Sequence, residues 1–427
     1  MYIPVKTYYN KCINIMVKNG KEAIILYHYI EQQAVLLQPY LAELRKDLHR
    51  HPETAWEEER TTEKIAGILS QAGYEIVRGT AVAGHQTGVI ATLHGPDPAG
   101  PVTVLRFDID ALAISESAAL DHLPAAEGFA SLHPGKMHAC GHDGHTAIGI
   151  GCALLLAKIK ECLKGTLRFI FQPAEEGARG ACPIVERGWL DDADYFLASH
   201  IFRKTPDLPP NCNVIPGVSH SLATTKTDLI FHGKAAHAAH PEQGIDVIPA
   251  MADLILRLDR SGKDGFLHAG TIQGGRSRNI IADYGKIELE TRAPSTESDR
   301  ELNQILKKIS ADICAQYHVT CEHRITGSAP SLESSPDFVQ QITTLFDKQL
   351  ERLHPLHSMI PFPASEDAAH MMNRVKEHGG EAAFLLFPTN LAADLHQSDF
   401  DFPMEILSTG VTAFSSIVFM LANGKIY

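Results

Sequence analysis

The residues with the clearest potential for chemistry lie in one stretch, MHACGHDGH, residues 137–145, which holds a cysteine, three histidines and an aspartate. Thiolate, imidazole and carboxylate groups are the side chains that bind zinc and related divalent metals in proteins. A polar loop before a helix, whose histidines cap and pack, would have a similar composition. Taken alone, this stretch therefore leaves a metal site and a structural loop both open.

Further metal-seeking side chains follow apolar segments with the character of buried strands, which read VTVLRF, TLRFIFQ, DYFLAS and AAFLLF. In open parallel sheets, ligands bind beyond the carboxyl ends of the strands, so residues in these positions are expected to meet at one edge. With Cys140 and His142 from the first stretch, they predict a metal centre at that edge. The strand-end candidates are Asp108, Asp110, Glu175, Glu176, His200 and His396.

Two adjacent glutamates, Glu175 and Glu176, suit metal-assisted hydrolysis, since one can ligate a metal while the other serves as general base. Two metals about 3.5–4 Å apart need a bridging ligand, and a bridging thiolate would explain a cysteine in a histidine-rich loop. Each residue also has a structural interpretation. The glutamate pair could favour the dipole of a following helix, and His200 could be a core histidine.

Other polar residues near these segments are interpreted as supporting rather than ligating. Asp108 and Asp110 are expected to be structural or to brace the ligands, and Asp143 is expected to cap a helix or brace a histidine. Packing or bracing is also the favoured role for His145, His49 and His51.

The elements that must position these residues alternate between helix and strand. LQPYLAELRKDLHRHPE and ERTTEKIAGILSQAGY have apolar residues at helical spacing, and HTAIGIGCALLLAKIKECLKG predicts an apolar helix that closes at Gly165. The strands are hydrophobic on both faces, which is typical of a buried and largely parallel sheet. We therefore predict an α/β fold with a mixed, mostly parallel sheet and helices on both faces.

Residues 219–328 have a different pattern. They predict strand 223–231, helix 245–258, strand 267–273, strand 285–291, helix 298–317 and strand 319–326, the βαββαβ order of a ferredoxin-like sandwich. Because the α/β pattern resumes afterwards, 219–328 is expected to be a domain inserted into a catalytic domain of residues 37–218 and 329–427. Residues 1–36 are expected to be an N-terminal extension of unknown role.

Composition narrows the class of protein. The net charge of −13 argues against nucleic acid or an anionic membrane as the main partner, because both need a basic surface. Eight cysteines without framework spacing predict free thiols and a reducing, cytoplasmic compartment. The N-terminus lacks the pattern of a secretory signal, and its longest clear apolar run, AIILY, is far shorter than the roughly 18 residues of a membrane span.

Six motifs occur in order: HACGHDGHTA, FQPAEEG, ASH, GKAAHAAHPEQGID, GGRSRNIIAD and a late LH. Together they resemble the amidohydrolase branch of the aminoacylase and carboxypeptidase-G metallopeptidase family, over about residue 37 to the end of the chain. The resemblance implies two divalent metal ions per chain, manganese or zinc, with cobalt or nickel also credible. It also implies a lid and dimerisation role for the inserted domain, in a homodimer or in a heteromer with a related subunit.

The resemblance assigns roles residue by residue. Cys140 would bridge the two metals, and Glu175 would be the general base. His237 would reach the scissile carbonyl's oxyanion, typically from a partner subunit, and Asn279 and Arg292 would bind the carboxylate end of the substrate. The remaining ligands would be His142 and His200 on one metal and Glu176 and His396 on the other.

The implied reaction is hydrolysis of the amide between an acyl or aroyl group and an amino acid. The stretches GFASLHPGKMHACGHDGHTAIG, ATTKTD and SEDAAHMM favour p-aminobenzoyl-glutamate as the lead substrate. A broader amidohydrolase acting on acetyl, benzoyl or indole-acetyl conjugates is the alternative. A non-catalytic scaffold subunit is the third hypothesis, but it would be expected to have lost a ligand or the base, and all of them are present.

Overall fold

A computed structural model of the chain describes residues 21–258 and 265–424. The helices are α1 (Lys21–Arg50), α2 (Glu59–Gln71), α3 (Thr80–Ala83), α4 (Leu123–Ala126), α5 (His142–Lys158), α6 (Ala181–Glu186), α7 (Val247–Leu258), α8 (Thr296–Tyr317), α9 (Pro336–Gln349), α10 (Ala368–Glu377) and α11 (Ile406–Asn423). The strands are β1 (Glu75–Arg78), β2 (Val89–His94), β3 (Val102–Asp108), β4 (Thr166–Gln172), β5 (Tyr195–Arg203), β6 (Val218–Ser221), β7 (Thr224–His232), β8 (Phe266–Gly274), β9 (Tyr284–Arg292), β10 (Thr320–Ala329), β11 (Ile360–Phe362) and β12 (Glu381–Thr389).

Six strands form the main sheet in the order β1-β2-β4-β3-β5-β12. The four strands from β4 to β12 are parallel, and β1 and β2 add an antiparallel edge. One face is covered by a core that includes α1, α2, α5, α9 and α11, and the other by a core that includes α3, α6 and α10. The predicted α/β class, with a mostly parallel sheet between two helical layers, is confirmed. The carboxyl ends of β3, β4, β5 and β12 share one edge.

The helix α1 begins well before residue 37. Tyr27, Ile30 and Ala34 are fully buried and pack with α5 and α11, so residues 21–36 belong to the main core. The expected boundary at residue 36 therefore falls inside a continuous helix, while residues 1–20 of the expected extension lie outside the described part of the chain.

One described helix, α11, is long and apolar enough to cross a membrane, with a mean hydropathy of 1.6 over 18 residues. However, 83% of those residues are buried inside the fold. Burial on this scale accounts for the apolar composition as that of a core helix.

A second sheet has the order β10-β7-β9-β8, antiparallel throughout. Together with α7 and α8, it forms what we call the inserted unit, residues 224–329. Its strands are arranged fourth, first, third, second, which is the order of a ferredoxin-like sandwich, and each predicted element is found within three residues of its expected bounds. Both helices pack on one face of the sheet around residues such as Leu229, Phe231 and Ile287. The opposite face carries mainly charged residues.

The helix α5 begins at His142, directly after Gly141, whose φ of 88° is a left-handed conformation that favours glycine. Within α5 the helix approaches its neighbours closely: a Cβ on Gly144 would lie 2.5 Å from the ring of Phe402. The predicted end at Gly165 is wrong, because the α-helix stops at Lys158 and a 3₁₀ turn, Lys160–Cys162, leads into β4.

Candidate metal centre

The loop before α5 meets the ends of three strands at the shared edge of the main sheet. There Cys140 belongs to two groups of potential ligands, one with His142 and His200 and the other with Glu176 and His396. In each group the ligand atoms lie within 4.8 Å of one another, and Cys140 Sγ is 3.4 Å from His200 Nε2. All five residues that the sequence proposed as ligands are thus brought together, with the cysteine common to both groups.

Two buried atoms in this cluster have no hydrogen-bond partner among the described residues: His142 Nε2 and Glu176 Oε1. Burial and the nearby Glu176 carboxylate raise the pKa of the Cys140 thiol well above its usual range, so the surroundings alone disfavour a thiolate. Unpartnered buried nitrogen and oxygen atoms are costly, and a cation would both bind them and favour the thiolate. The residues therefore fit a pair of divalent ions.

Asp110 fixes the orientation of three residues in the cluster. Its two carboxylate oxygens accept hydrogen bonds from the backbone N–H groups of Glu175 and Glu176, at 3.1 and 2.9 Å. Its backbone carbonyl lies 3.0 Å from His142 Nδ1, which therefore carries the proton. The other ring nitrogen, Nε2, is consequently the one with a free lone pair, as expected for an orienting partner outside the ligand set.

Asp108 and His145 brace the end of β5 instead of adding ligands. His145 Nδ1 donates to Asp108 at 2.6 Å, and His145 Nε2 accepts the N–H of Ile201 at 2.9 Å. Both ring nitrogens of His145 are engaged, so neither is free for a metal. The second oxygen of Asp108 accepts from Arg106 at 2.8 Å, which balances its charge in the core.

Asp143 sits in a buried ionic network behind the cluster. Its carboxylate accepts from Arg45 at 3.1 Å and from His49 at 2.8 Å, so the histidine that it braces is His49 and not His142. Burial alone would lower the pKa of His49, but its hydrogen bonds to Asp143 and Glu116 raise it to about 9. This network anchors α1 against the first turn of α5.

Two residues next to the cluster adopt left-handed backbone conformations that cost non-glycine residues about 1–3 kcal/mol. His396 has a φ of 65°, and its N–H donates to the carbonyl of Ala139 at 2.8 Å. Ala174, before the glutamate pair, has a φ of 53°, and its N–H donates to Glu58 at 2.8 Å. These hydrogen bonds hold the strained segments where the cluster needs them.

A cavity of about 140 Å³ opens over the cluster, between the main sheet and the inserted unit. Arg292 reaches this cavity, but its fork is engaged: Nε and Nη2 donate to Glu290 at 3.0 and 3.1 Å, and Nη1 to Ser365 at 3.0 Å. Burial, together with the neighbouring Glu366, raises the pKa of Glu175 well above its usual range. The cavity is lined by Cys140, Glu175, Glu176, Gly177, Ala178, His200, Thr224, Lys226, Arg292, Phe362, Ala364, Ser365, Glu366, Leu395 and His396.

Two predicted site residues are not brought to this cavity within one chain. His237 and Asn279 lie beside each other on exposed loops of the inserted unit, where the N–H of Ala238 donates to the Asn279 carbonyl at 3.0 Å. The Asn279 side chain accepts from Ser277 at 2.6 Å. Neither residue is among those that line the cavity.

Comparison with known proteins bears directly on this cluster. Residues 104–419 match the model of peptidase family M20/M25/M40. The chain belongs to this family. This M20 member is 35% identical to the indole-3-acetyl-aspartic acid hydrolase of Enterobacter agglomerans, over 91% of this chain and 96% of that protein. It is also 35% identical to one of the subunits of p-aminobenzoyl-glutamate hydrolase of Escherichia coli, over 88% and 94% of the two chains.

A solved structure of a Bacillus subtilis protein, described as a dinuclear metal-binding peptidase of the M20 family, has the same fold. It superposes with a TM-score of 0.67 and 29% identity, covering 91% of this chain and 99% of that one. The M20 member described by our structure is accordingly a metal-dependent amidohydrolase, and the family resemblance drawn from its motifs is confirmed.

Sequence reasoning gave no role to three residues of the site: Glu58, Lys226 and Glu366. The last two lie within quoted motifs, ATTKTD and SEDAAHMM, but side chains from distant segments determine what they face. Glu58 supports the strained Ala174 from a loop more than a hundred residues earlier, and no local pattern signals that contact.

Proposed function

We propose that this M20 member hydrolyses the amide bond of an N-aroyl or N-acyl amino acid, with p-aminobenzoyl-glutamate as the lead substrate. The observation that carries the proposal is the pair of three-residue groups sharing Cys140, beside a cavity that contains a further glutamate, Glu175. Two relatives of high coverage that cleave conjugates of acidic amino acids support the substrate class.

In this proposal Cys140, His142 and His200 hold one divalent ion, and Cys140, Glu176 and His396 hold the other. Such ions supply Lewis-acid polarisation of a carbonyl and lower the pKa of water toward 7. The mixed donors suit zinc, and manganese, cobalt and nickel are further candidates. The main-chain hydrogen bonds to Asp110 keep Glu175 and Glu176 on their separate tasks.

Glu175 is the proposed general base. It lines the cavity without belonging to either of the two groups that share Cys140. Its carboxylate takes one proton from water as the water oxygen bonds to the substrate's carbonyl carbon. It then gives that proton to the amide nitrogen as the carbon–nitrogen bond breaks and the amine leaves.

We further propose that the inserted unit, within the expected domain of residues 219–328, pairs with a second chain and completes the site. Its edge strand β8 is largely exposed, and large apolar side chains surround this edge: Ile248, Leu256, Phe266 and Ile272 are each about half exposed or more. His237 and Asn279 lie on this unit away from their own cavity, which fits delivery to a partner's site. Substrate binding by Asn279 and Arg292 belongs to the same proposal.

A second copy of the chain is the simplest partner. A distinct protein chain is the alternative, since the Escherichia coli relative is itself named as one of several subunits. The described cysteines are all free thiols, which supports a reducing cytoplasmic location.

The decisive experiment is a hydrolysis screen of the purified chain with added manganese or zinc. It compares p-aminobenzoyl-glutamate with indole-acetyl-aspartate, hippurate and acetylated amino acids. We expect the highest kcat/KM for p-aminobenzoyl-glutamate, and a higher value for neutral acyl amino acids would favour the broader amidohydrolase instead.

The assignment of roles is tested by two matched variants of the glutamate pair. Glu175→Gln should retain about two metals per chain and lose about 10²- to 10⁴-fold in kcat, because it removes the base and no ligand. Glu176→Ala should lose metal as well. Equal metal loss in both variants would contradict the division of labour.

A further inference from the structure

Lys226 is a half-buried cation in the wall of the catalytic cavity. It lies on β7 and faces the same space as Cys140, Glu175 and Arg292. Within residues 25–258 and 265–424, no hydrogen bond or ion pair involves its ammonium group, although such pairs are common elsewhere on this sheet. An ammonium that is partly removed from water without a counter-charge is unfavourable, so its retention in a cavity points to an anionic ligand.

The carboxylate that could have paired with Lys226 is committed to a different residue. Glu290 lies directly across from Lys226 in the register of β7 and β9, so the two side chains share a face of the sheet. Both oxygens of Glu290 nevertheless accept hydrogen bonds from the fork of Arg292, at 3.0 and 3.1 Å. The cavity wall therefore carries one cation that is paired and one that is not.

The substrate class named above always carries one carboxylate, on the α-carbon of its amino acid, and Arg292 is the residue proposed to bind that end. A second cation in the same cavity has a use only if the substrate carries a second negative charge. We propose that Lys226 binds the side-chain carboxylate of the substrate's amino acid, so that the enzyme selects conjugates of glutamate or aspartate over neutral ones. This inference rests on the proposed function and makes Lys226 its specificity-determining residue.

A purely electrostatic role is the competing explanation, because the charge of Lys226 also acts on Glu176 and His396. In that role the ammonium would only offset the negative charge of the proposed ligands. Loss of Lys226 would then change metal content and would affect every substrate alike. The two explanations therefore differ in whether the effect depends on the charge of the substrate's side chain.

The test uses p-aminobenzoyl-glutamate and p-aminobenzoyl-glutamine, which have nearly the same shape and differ by one negative charge. In Lys226→Met, kcat/KM for the glutamate conjugate should fall about 10- to 100-fold, mainly through KM, while the glutamine conjugate changes little. Lys226→Arg should recover part of the preference. Metal content, measured in the same samples, should equal that of the wild type.

The matched control is Lys286→Met, which removes another lysine from the same face of the sheet. Lys286 is already paired with Asp228 and Glu288, at 2.7 and 2.6 Å, and lies outside the cavity. Its loss should leave the glutamate preference unchanged. Equal rates for the two conjugates in the wild type, an unchanged preference in Lys226→Met, or an equal loss for both substrates would each overturn the inference.

A binding measurement separates failure of this inference from failure of the proposed function. In the Glu175→Gln background, which lacks the base, calorimetry gives the Kd of each conjugate without turnover. A glutamate preference that depends on Lys226 would uphold the inference even if the wild type hydrolysed neither compound. Binding without a preference would refute it even if the wild type hydrolysed both.

Discussion

Asp110→Asn is the substitution that most directly tests how the glutamate pair is held. The wild-type carboxylate accepts two backbone hydrogen bonds, from Glu175 at 3.1 Å and from Glu176 at 2.9 Å. Asparagine has the same shape but only one acceptor oxygen. Its NH₂ group must therefore face one of the two N–H donors, and neither can accept from the other.

The expected loss follows from these two bonds. One buried N–H is left without an acceptor, at about 1–3 kcal/mol, and the other bond loses its charge assistance, at about 1 kcal/mol. The free energy of unfolding of the metal-free protein should fall by about 2–4 kcal/mol in total. Because displacement of a catalytic group by 1 Å can cost about 10²-fold, kcat should fall by about that factor.

Urea unfolding in the presence of a chelator measures the stability term without any contribution from bound ions, and steady-state assays with metal measure kcat. Asp191→Asn is the control: it removes an exposed carboxylate that is paired with Arg374 at 2.8 Å, and such surface pairs are worth about 0–1 kcal/mol. If Asp110→Asn had the stability and kcat of this control, the two backbone hydrogen bonds would not be what holds the glutamate pair.

Three further predictions concern the cluster, the partner chain and the ionic network. Cys140→Ala should lose bound metal and activity together in elemental analysis and assay, because Sγ belongs to both ligand groups. His237→Ala should be slow with normal metal content, and mixing it with Glu175→Gln should restore activity in hybrid dimers. The stability contributed by protonated His49 should be full below its ordinary pKa of 6.5 and be lost as pH rises through about 9. That contribution is about 3 kcal/mol, and urea unfolding across this range should show it in the wild type but not in His49→Asn.

Clear results would contradict each of these three. Full metal content and normal rate in Cys140→Ala would reduce its loop to a structural one. Absence of activity in mixed inactive chains that are shown to exchange would place His237 outside the partner's site. A wild-type protein whose unfolding free energy depends on pH no differently from that of His49→Asn would mean that His49 does not titrate in the buried network.

The order of elements could be predicted because each one carries a local signal. Strands buried on both faces read as continuous apolar runs, and the inserted unit showed alternating strands with two amphipathic helices. The start of α1 gave no such signal, since Tyr27, Ile30 and Ala34 are spread among polar residues and are buried only by contact with α5 and α11. The end of α5 was misjudged because apolar residues continue into a 3₁₀ turn after Lys158.

The ligand cluster could be predicted because parallel topology places the ends of neighbouring strands together, whatever their separation in sequence. What topology does not specify is side-chain pairing. The engagement of Arg292 by Glu290, which leaves Lys226 unpaired, depends on the register of β7 against β9 and on which of two cations the carboxylate approaches. The exposed positions of His237 and Asn279 likewise depend on a loop conformation that no periodicity encodes.

The hydrogen bond from His396 to the carbonyl of Ala139 joins the last proposed ligand to the loop of the first. More than half of the chain separates the two, and protein synthesis adds about 5–20 residues per second. A growing chain therefore spends on the order of tens of seconds with Cys140 and His142 made and His396 still missing. The site for two ions exists only once almost all of the described chain has been synthesised and folded, so metal loading is a late step of biogenesis, and early fragments expose a reactive thiol to the cell.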